Sequence, residues 1–347
     1  MNTYREPVKI VVDKEVPTTV AALNKVLIVT HEKNADFKYY TSSADVATDF
    51  GNGSEVFKLV ETYLSQVDGS GNILKPDFFA VIGVEGTKPS EKEAATEYAG
   101  KIKTALSEVA GETWYGLLTT ANNNDMLPVL RPFLTENRKM YITETTTYPI
   151  DDTAKSDRIL AIFNPTEGEY KAAAYAGAVI TPGAGSKCSM VELSGVTADV
   201  KGGKKQELTQ NNITFVEKRT SDGEVVANGG ITTDSIYLDD VSAIDCIIVN
   251  LNENIEKVLI KKGFKQDDRG YALMEETLHN VMTEMGALGL IAVLNNNYEY
   301  IVYPVNQTPT ERQQRLIRPR VKFRLAGWAY FIDVTLLQTS KDIGGAK

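Results

Sequence analysis

Apolar residues in the first half of this chain recur in two alternating rhythms. Short unbroken runs have the length and β-branched character of strands buried on both faces: "KVLIVTH" from Lys25, "DFFAVIGV" from Asp77, "WYGLLTT" from Trp114, "KMYITET" from Lys139 and "RILAIFN" from Arg158. Between them the spacing changes to that of helices. "SSADVATDFG" has Ser42 or Ser43 as N-cap and Gly51 as its stop. A helix over about Ser54 to Gln66 places Val56, Leu59, Val60, Tyr63 and Leu64 on one face. Further helices are predicted from about Ser90 to Val109 and after "NNND". Strands separated by helices predict an α/β layer with a mostly parallel sheet.

After "YKAAAYAGAVITPGAG" the periodicity weakens. Lys187 to Ile231 reads as turns and short strands, among them "ITFVEKRT" and "EVVANGG". Helices follow over about Ser242 to Lys262 and Gly270 to Leu288, then the strand "YEYIVYPV" and a basic linker. This predicts α+β overall: an arm at 1–22, an α/β domain at 23–225 and a smaller α+β domain at 226–347.

Both ends are unusual. "VKIVVD" puts Val8, Ile10 and Val12 on one face of a strand, bracketed by Pro7 and Pro17, with no turn to pair it locally. The other end is "RLIRPRVKFRLAGWAYFIDVTLLQ", from Arg315 to Gln338. Arg318, Arg320, Lys322 and Arg324 share one face of it, with Val321, Phe323 and Leu325 on the other. A strand without a local partner pairs with something distant or with another molecule.

Composition narrows the function. The net charge of -9 argues against nucleic acid as the main partner, while leaving room for one local basic patch. The N-terminus has no signal-peptide core, and "GALGLIAVL" is too short to cross a bilayer, so cytoplasmic synthesis without membrane insertion is expected. Cys188 and Cys246, each in apolar surroundings, are expected to be buried and inert. With His31 and His279 as the only histidines, no metal site is expected.

The chemistry-bearing motifs are weak. "TPGAGSKCS" lacks the Walker spacing and follows a helix instead of preceding one, so a turn is expected there. The pairs Asp151/Asp152, Asp239/Asp240, Asp267/Asp268 and Glu275/Glu276 are sequence neighbours whose side chains diverge, and are expected on solvated surface. No catalytic residue and no cofactor is expected; a scaffold with unpaired strands at both ends is.

The order of segments resembles the tail sheath proteins of contractile phage tails and phage tail-like particles. The resemblance runs through "FKYYTSSADVATDFGNGSEVFKLVETYLSQ", "PDFFAVIGV", "AAAYAGAVITPGAGSKCSMVELSGVTADV" and "LTQNNITFVEKRTSDGEVVANGGITTDSIYLDDVSAIDCIIVNLNENIEKVLI". It continues through "QDDRGYALMEETLHNVM" to the closing strand with its Ala326-Gly327 bend. The chain is short for that family, so outer decorating domains are expected to be absent.

The resemblance implies a structural subunit that forms stacked hexameric rings around a tail tube and contracts by subunit rotation. Its partners would be its own copies, the tube protein, and baseplate and tail-terminator proteins. It would be made in a bacterial host and end in a virion or released particle. Val8, Ile10, Val12, Val321, Phe323, Phe331, Val334 and Leu336 would take part in strand exchange between subunits. Arg318, Arg320, Lys322 and Arg324 would form a charged interface, to the tube or to the next subunit. "DKEVPTT" and "NQTPTERQQ" would be its flexible linkers. An α/β enzyme or small-molecule-binding protein, or another ring-forming tail component, is the alternative.

Overall fold

The apolar runs assemble around a central strand. In chain order the first elements are β1 (Val26–Thr30), β2 (Ala35–Tyr40), α1 (Ser43–Phe50), α2 (Glu55–Leu64), β3 (Phe79–Gly83), α3 (Lys92–Glu108) and β4 (Gly116–Thr119). They are followed by α4 (Leu127–Glu136), β5 (Met140–Thr145), β6 (Ile159–Phe163) and α5 (Lys171–Val179). The computed structural model describes residues 23–219, 225–305 and 307–329. The six strands form one sheet in the order β2-β3-β1-β4-β5-β6, with β2 antiparallel and every other pairing parallel. The α/β expectation therefore holds.

Every residue of β1, β3, β4 and β6 is buried, because helices cover both faces of the sheet. Val26 and Ile28 face a core shared with α2 and α5, while Leu27 and Val29 face one built from α3 and α4. Ser42 caps α1 and Gly51, at φ 93°, ends it. The small residues of α5 let it lie close to α2: a Cβ on Gly177 would stand 2.3 Å from the Tyr63 carbonyl oxygen.

The remaining elements are β7 (Val191–Glu192), α6 (Lys204–Gln210), β8 (Phe215–Lys218), β9 (Val225–Asn228), α7 (Leu238–Lys261) and α8 (Asp268–Ala287). Then come β10 (Val293–Leu294), β11 (Asn297–Tyr298), β12 (Tyr300–Tyr303), α9 (Pro309–Gln313) and β13 (Arg320–Phe323). Residue 225 begins β9, which pairs with β8 and β7, and α7 and α8 share the core of the α2/α5 face. Among the described residues no helix is long and apolar enough to cross a membrane.

Two local expectations are corrected. The acidic pair Asp239/Asp240 lies in the first turn of α7, which starts at Leu238, ahead of the expected Ser242. Negative charge suits a helix N-terminus, and Asp239 is buried, accepting the Cys188 thiol at 3.1 Å. The expected linker "NQTPTERQQ" contains α9, closed by a capping box in which Thr308 and Glu311 satisfy each other's backbone N–H groups. Its "TPTE" spelling is the signal of that box.

Candidate assembly surfaces

In a sheet with this strand order a ligand would sit at the carboxyl ends of the strands, at the switch point between β1 and β4. The chain fills that place with its own carboxylates. Glu32, just past β1, accepts from the backbone N–H groups of Glu55 (2.9 Å) and Val56 (3.0 Å) at the start of α2. Glu144 of β5 accepts from Ala172 N at the start of α5 (2.9 Å) and from Asn164 Nδ2 (2.8 Å). Each helix N-terminus, the usual attractor of a phosphate, already holds an anion.

The same crowding appears in the titrating groups. Burial pushes the Glu144 carboxyl up, and burial with Glu55, Glu144 and Glu32 nearby pushes the Tyr170 phenol up to about 12. His31, its pKa lowered chiefly by burial, shares a 2.8 Å hydrogen bond between Nδ1 and Thr120 Oγ1, tying the ends of β1 and β4. An anionic ligand would meet like charges here. The Gly-rich stretch is no cradle either. Gly183 and Gly185 have φ of 110° and 72°, and Gly185 N donates to Ser242 Oγ on α7 at 3.0 Å. Cys188 and Cys246 are both buried, and burial raises the Cys246 thiol to about 11.

At the other end of the chain the chemistry is that of a contact surface. β12 and β13 form an antiparallel ribbon with Tyr300 opposite Phe323, Ile301 opposite Lys322, Val302 opposite Val321 and Tyr303 opposite Arg320. Tyr300, Val302, Val321 and Phe323 turn inward onto the core. Ile301 stays 54% exposed beside Tyr303, Arg320 and Lys322, so the outer face mixes apolar and basic groups.

The ends of the basic row are partly neutralised within the chain. Arg318 Nε lies 3.3 Å from Glu311, and Arg324 pairs with Glu299. Arg320 stacks over the Tyr303 ring at 5.3 Å. The pairing of β13 continues past Phe323 on the same side: Ala292 N donates to Arg324 O at 2.8 Å and Ala326 N to Leu290 O at 3.1 Å. The opposite side of β13 carries no strand among the described residues.

No family model matches the sequence, and no curated protein matches it. Solved structures do. The chain is similar to the helical sheath of the anti-feeding prophage in its contracted state, with a TM-score of 0.70 at 14% identity, covering 97% of this chain and 100% of that one. It is also similar to the contracted sheath complex of an extracellular contractile injection system, PVC, with a TM-score of 0.66 at 10% identity over 98% and 99% of the two chains. A sheath tail protein of Desulfitobacterium hafniense matches with a TM-score of 0.52 at 10% identity over 87% and 92%.

The fold is that of contractile sheath proteins.

On this sheath fold the sequence-predicted residues separate into two groups. Val321, Phe323, Arg318, Arg320, Lys322 and Arg324 gather on or beside the ribbon, with the apolar pair inward and the basic side chains exposed. Val8, Ile10, Val12, Phe331, Val334 and Leu336 lie outside the described residues, as do the "DKEVPTT" linker and Asn306.

Sequence reasoning missed a second feature of this chain, an ionic joint at the opposite end of the sheet. Asp245 of α7 accepts from Tyr115 OH (2.9 Å), Arg138 Nη1 (3.1 Å) and Arg158 Nη2 (3.0 Å), and also pairs with Arg158 Nη1. Asp245, Arg138 and Arg158 are each at most 3% exposed. The available signal was one carboxylate inside the apolar run "AIDCIIVNL", on the buried side of a helix.

Proposed function

We propose that this chain is a structural subunit of a contractile tail sheath. It assembles as stacked hexameric rings around a tail tube and contracts by subunit rotation, driving the tube through a target envelope. The observation that carries this reading is the likeness over the whole length of both chains to a sheath subunit in the contracted state. Residues 23–225 form the outer domain, 226–347 the tube-proximal domain, and 1–22 an arm.

Val8, Ile10 and Val12 of the arm, and Phe331, Val334 and Leu336 at the other end, add as strands to neighbouring copies. The strand of Val321 and Phe323 offers the open edge that receives such an addition. Main-chain hydrogen bonds then supply affinity, and head-to-tail contact generates an open helical array. The basic face of Arg318, Arg320, Lys322 and Arg324 meets an acidic surface on the tube or on the next subunit. Baseplate and tail-terminator proteins close the ends. The work comes from conformational energy stored at assembly, without a cofactor or catalysis. Glu32 and Glu144, lodged on the two helix N-termini, support a role without a nucleotide. The subunit is made in a bacterial host and ends in a virion or released particle.

Negative-stain electron microscopy of the full chain, with its sedimentation profile, tests the reading. Striated hollow cylinders are expected, and single rings would point instead to a baseplate or terminator component. Removing residues 1–15 should abolish long assemblies and leave a folded monomer. Normal cylinders from that truncation would end the strand-exchange account.

A further inference from the structure

The Gly-rich loop, whose Gly185 N–H is taken up by Ser242 of α7, touches the chain's last described segment. Trp328 Nε1 donates to the Gly185 carbonyl oxygen at 2.9 Å. The two partners differ in how firmly they are held. Gly185 sits at φ 72°, its N–H bonded to Ser242 of α7, and a Cβ on it would stand 2.4 Å from Leu290 Cδ2. The acceptor is therefore fixed to the body of the subunit from two sides.

The donor lies just beyond the end of a ladder. Among the described residues the pairing of β13 runs to the Ala326 N–H on Leu290 O, and Gly327 follows, the residue with the greatest backbone freedom. Asp239, Asp240, Leu290 and Leu325 line the cleft in which this turn lies. Past it, among the described residues, the Trp328 side-chain hydrogen bond ties the chain back to the body. The Trp328 side chain is otherwise 54% exposed.

We propose that Trp328 is a positioning residue, a latch that fixes the direction in which the C-terminal segment leaves the subunit. The inference rests on the sheath reading for its consequence: a segment aimed before assembly reaches one neighbour and not another, which sets the polarity of the array. Pre-aiming also lowers the ordering cost of strand addition, because fewer exit directions are lost when the neighbour is met. A single hydrogen bond suits this task. It shifts a local equilibrium by a factor of roughly two to ten, enough to bias the exit and weak enough to be released when subunits rotate.

The test uses the full chain with Trp328→Phe, which keeps an aromatic ring and removes the N–H donor. Amide hydrogen exchange is followed on the unassembled fraction, and cylinder lengths are measured by electron microscopy. Peptides covering residues 324–329 should exchange about two to ten times faster in the variant, with those over β12 and the central sheet unchanged. Cylinders should become several-fold shorter at equal protein concentration. Unchanged exchange in 324–329 overturns the latch. Faster exchange with cylinders of normal length overturns its positioning role. Absence of cylinders from the unmodified chain sinks the sheath reading instead, and the exchange measurement alone then decides the latch.

Discussion

Asp245→Ala removes the carboxylate that joins α7 to the amino ends of β4, β5 and β6. Its partners Tyr115, Arg138 and Arg158 lie 130, 107 and 87 residues away in sequence, and none can follow the missing group. A neutral hydrogen bond contributes only about 1 kcal/mol net. Truncating one side of a buried ion pair costs more, about 3–5 kcal/mol, because the opposite charge stays behind without its counter-ion. Here two guanidinium groups, 2% and 3% exposed, lose that carboxylate, while Asp157 stays 3.7 Å from Arg158 Nε. A loss within that range is therefore expected.

Urea unfolding of the unassembled chain at fixed concentration is the assay, since association would stabilise the folded state by mass action. With a slope of about 3 kcal/mol per molar the midpoint should fall by about 1 M or more, and a steeper slope shrinks that shift in proportion. Asp152→Asn serves as the control. Its pair with Lys155 is solvated at 91% and 38% side-chain exposure, so no midpoint change is expected. A midpoint for Asp245→Ala within about 0.3 M of the control, a loss near 1 kcal/mol, would refute the joint.

Other predictions are shorter. Gly177→Ala gains about 1 kcal/mol of helix propensity but drives a methyl into the Tyr63 backbone, where overpacking costs about 1–3 kcal/mol; a lowered melting temperature is expected, and a raised one would mean that α2 and α5 can part. Glu217 is 1% exposed; desolvation alone would raise its pKa, but hydrogen bonds from Lys205, Arg219 and Asn228 hold it below the ordinary value. Its contribution is therefore present above about pH 4.3 and lost as pH falls through the lower folded value, so Glu217→Gln should flatten the acid limb of the stability–pH curve. Reversing Arg320 and Lys322 to glutamate should abolish assembly seen by sedimentation while leaving the monomer folded, whereas a merely solvated edge predicts no change.

Much of the sheet was legible because its strands are buried on both faces. "VLIVT" and "FAVIG" are continuous apolar runs of strand length, and the helix-period stretch of α2 lies between them. β2 was harder. "ADFKYY" mixes charged and aromatic positions because it is an edge strand, and its register slips against β3 between Ala35 and Lys38. The Asp245 joint was invisible for another reason. Its four residues are spread from 115 to 245, and no local pattern links them; only the docking of α7 on the sheet does. The basic strand was seen, but its partner was not. β12 lies 17 residues upstream, and α9 in between makes the connection longer than a hairpin turn.

Among the described residues β2 closes one side of the central sheet, with a slipped register and exposed charge at Asp36 and Lys38, the latter paired with Asp49. Such an edge resists further strand pairing. In a lattice built by strand addition, the edges that must not pair matter as much as those that must. On the sheath reading proposed above, this edge would keep finished particles from knitting side to side into bundles. Each cylinder would then stay a separate object, free to shorten without dragging another along.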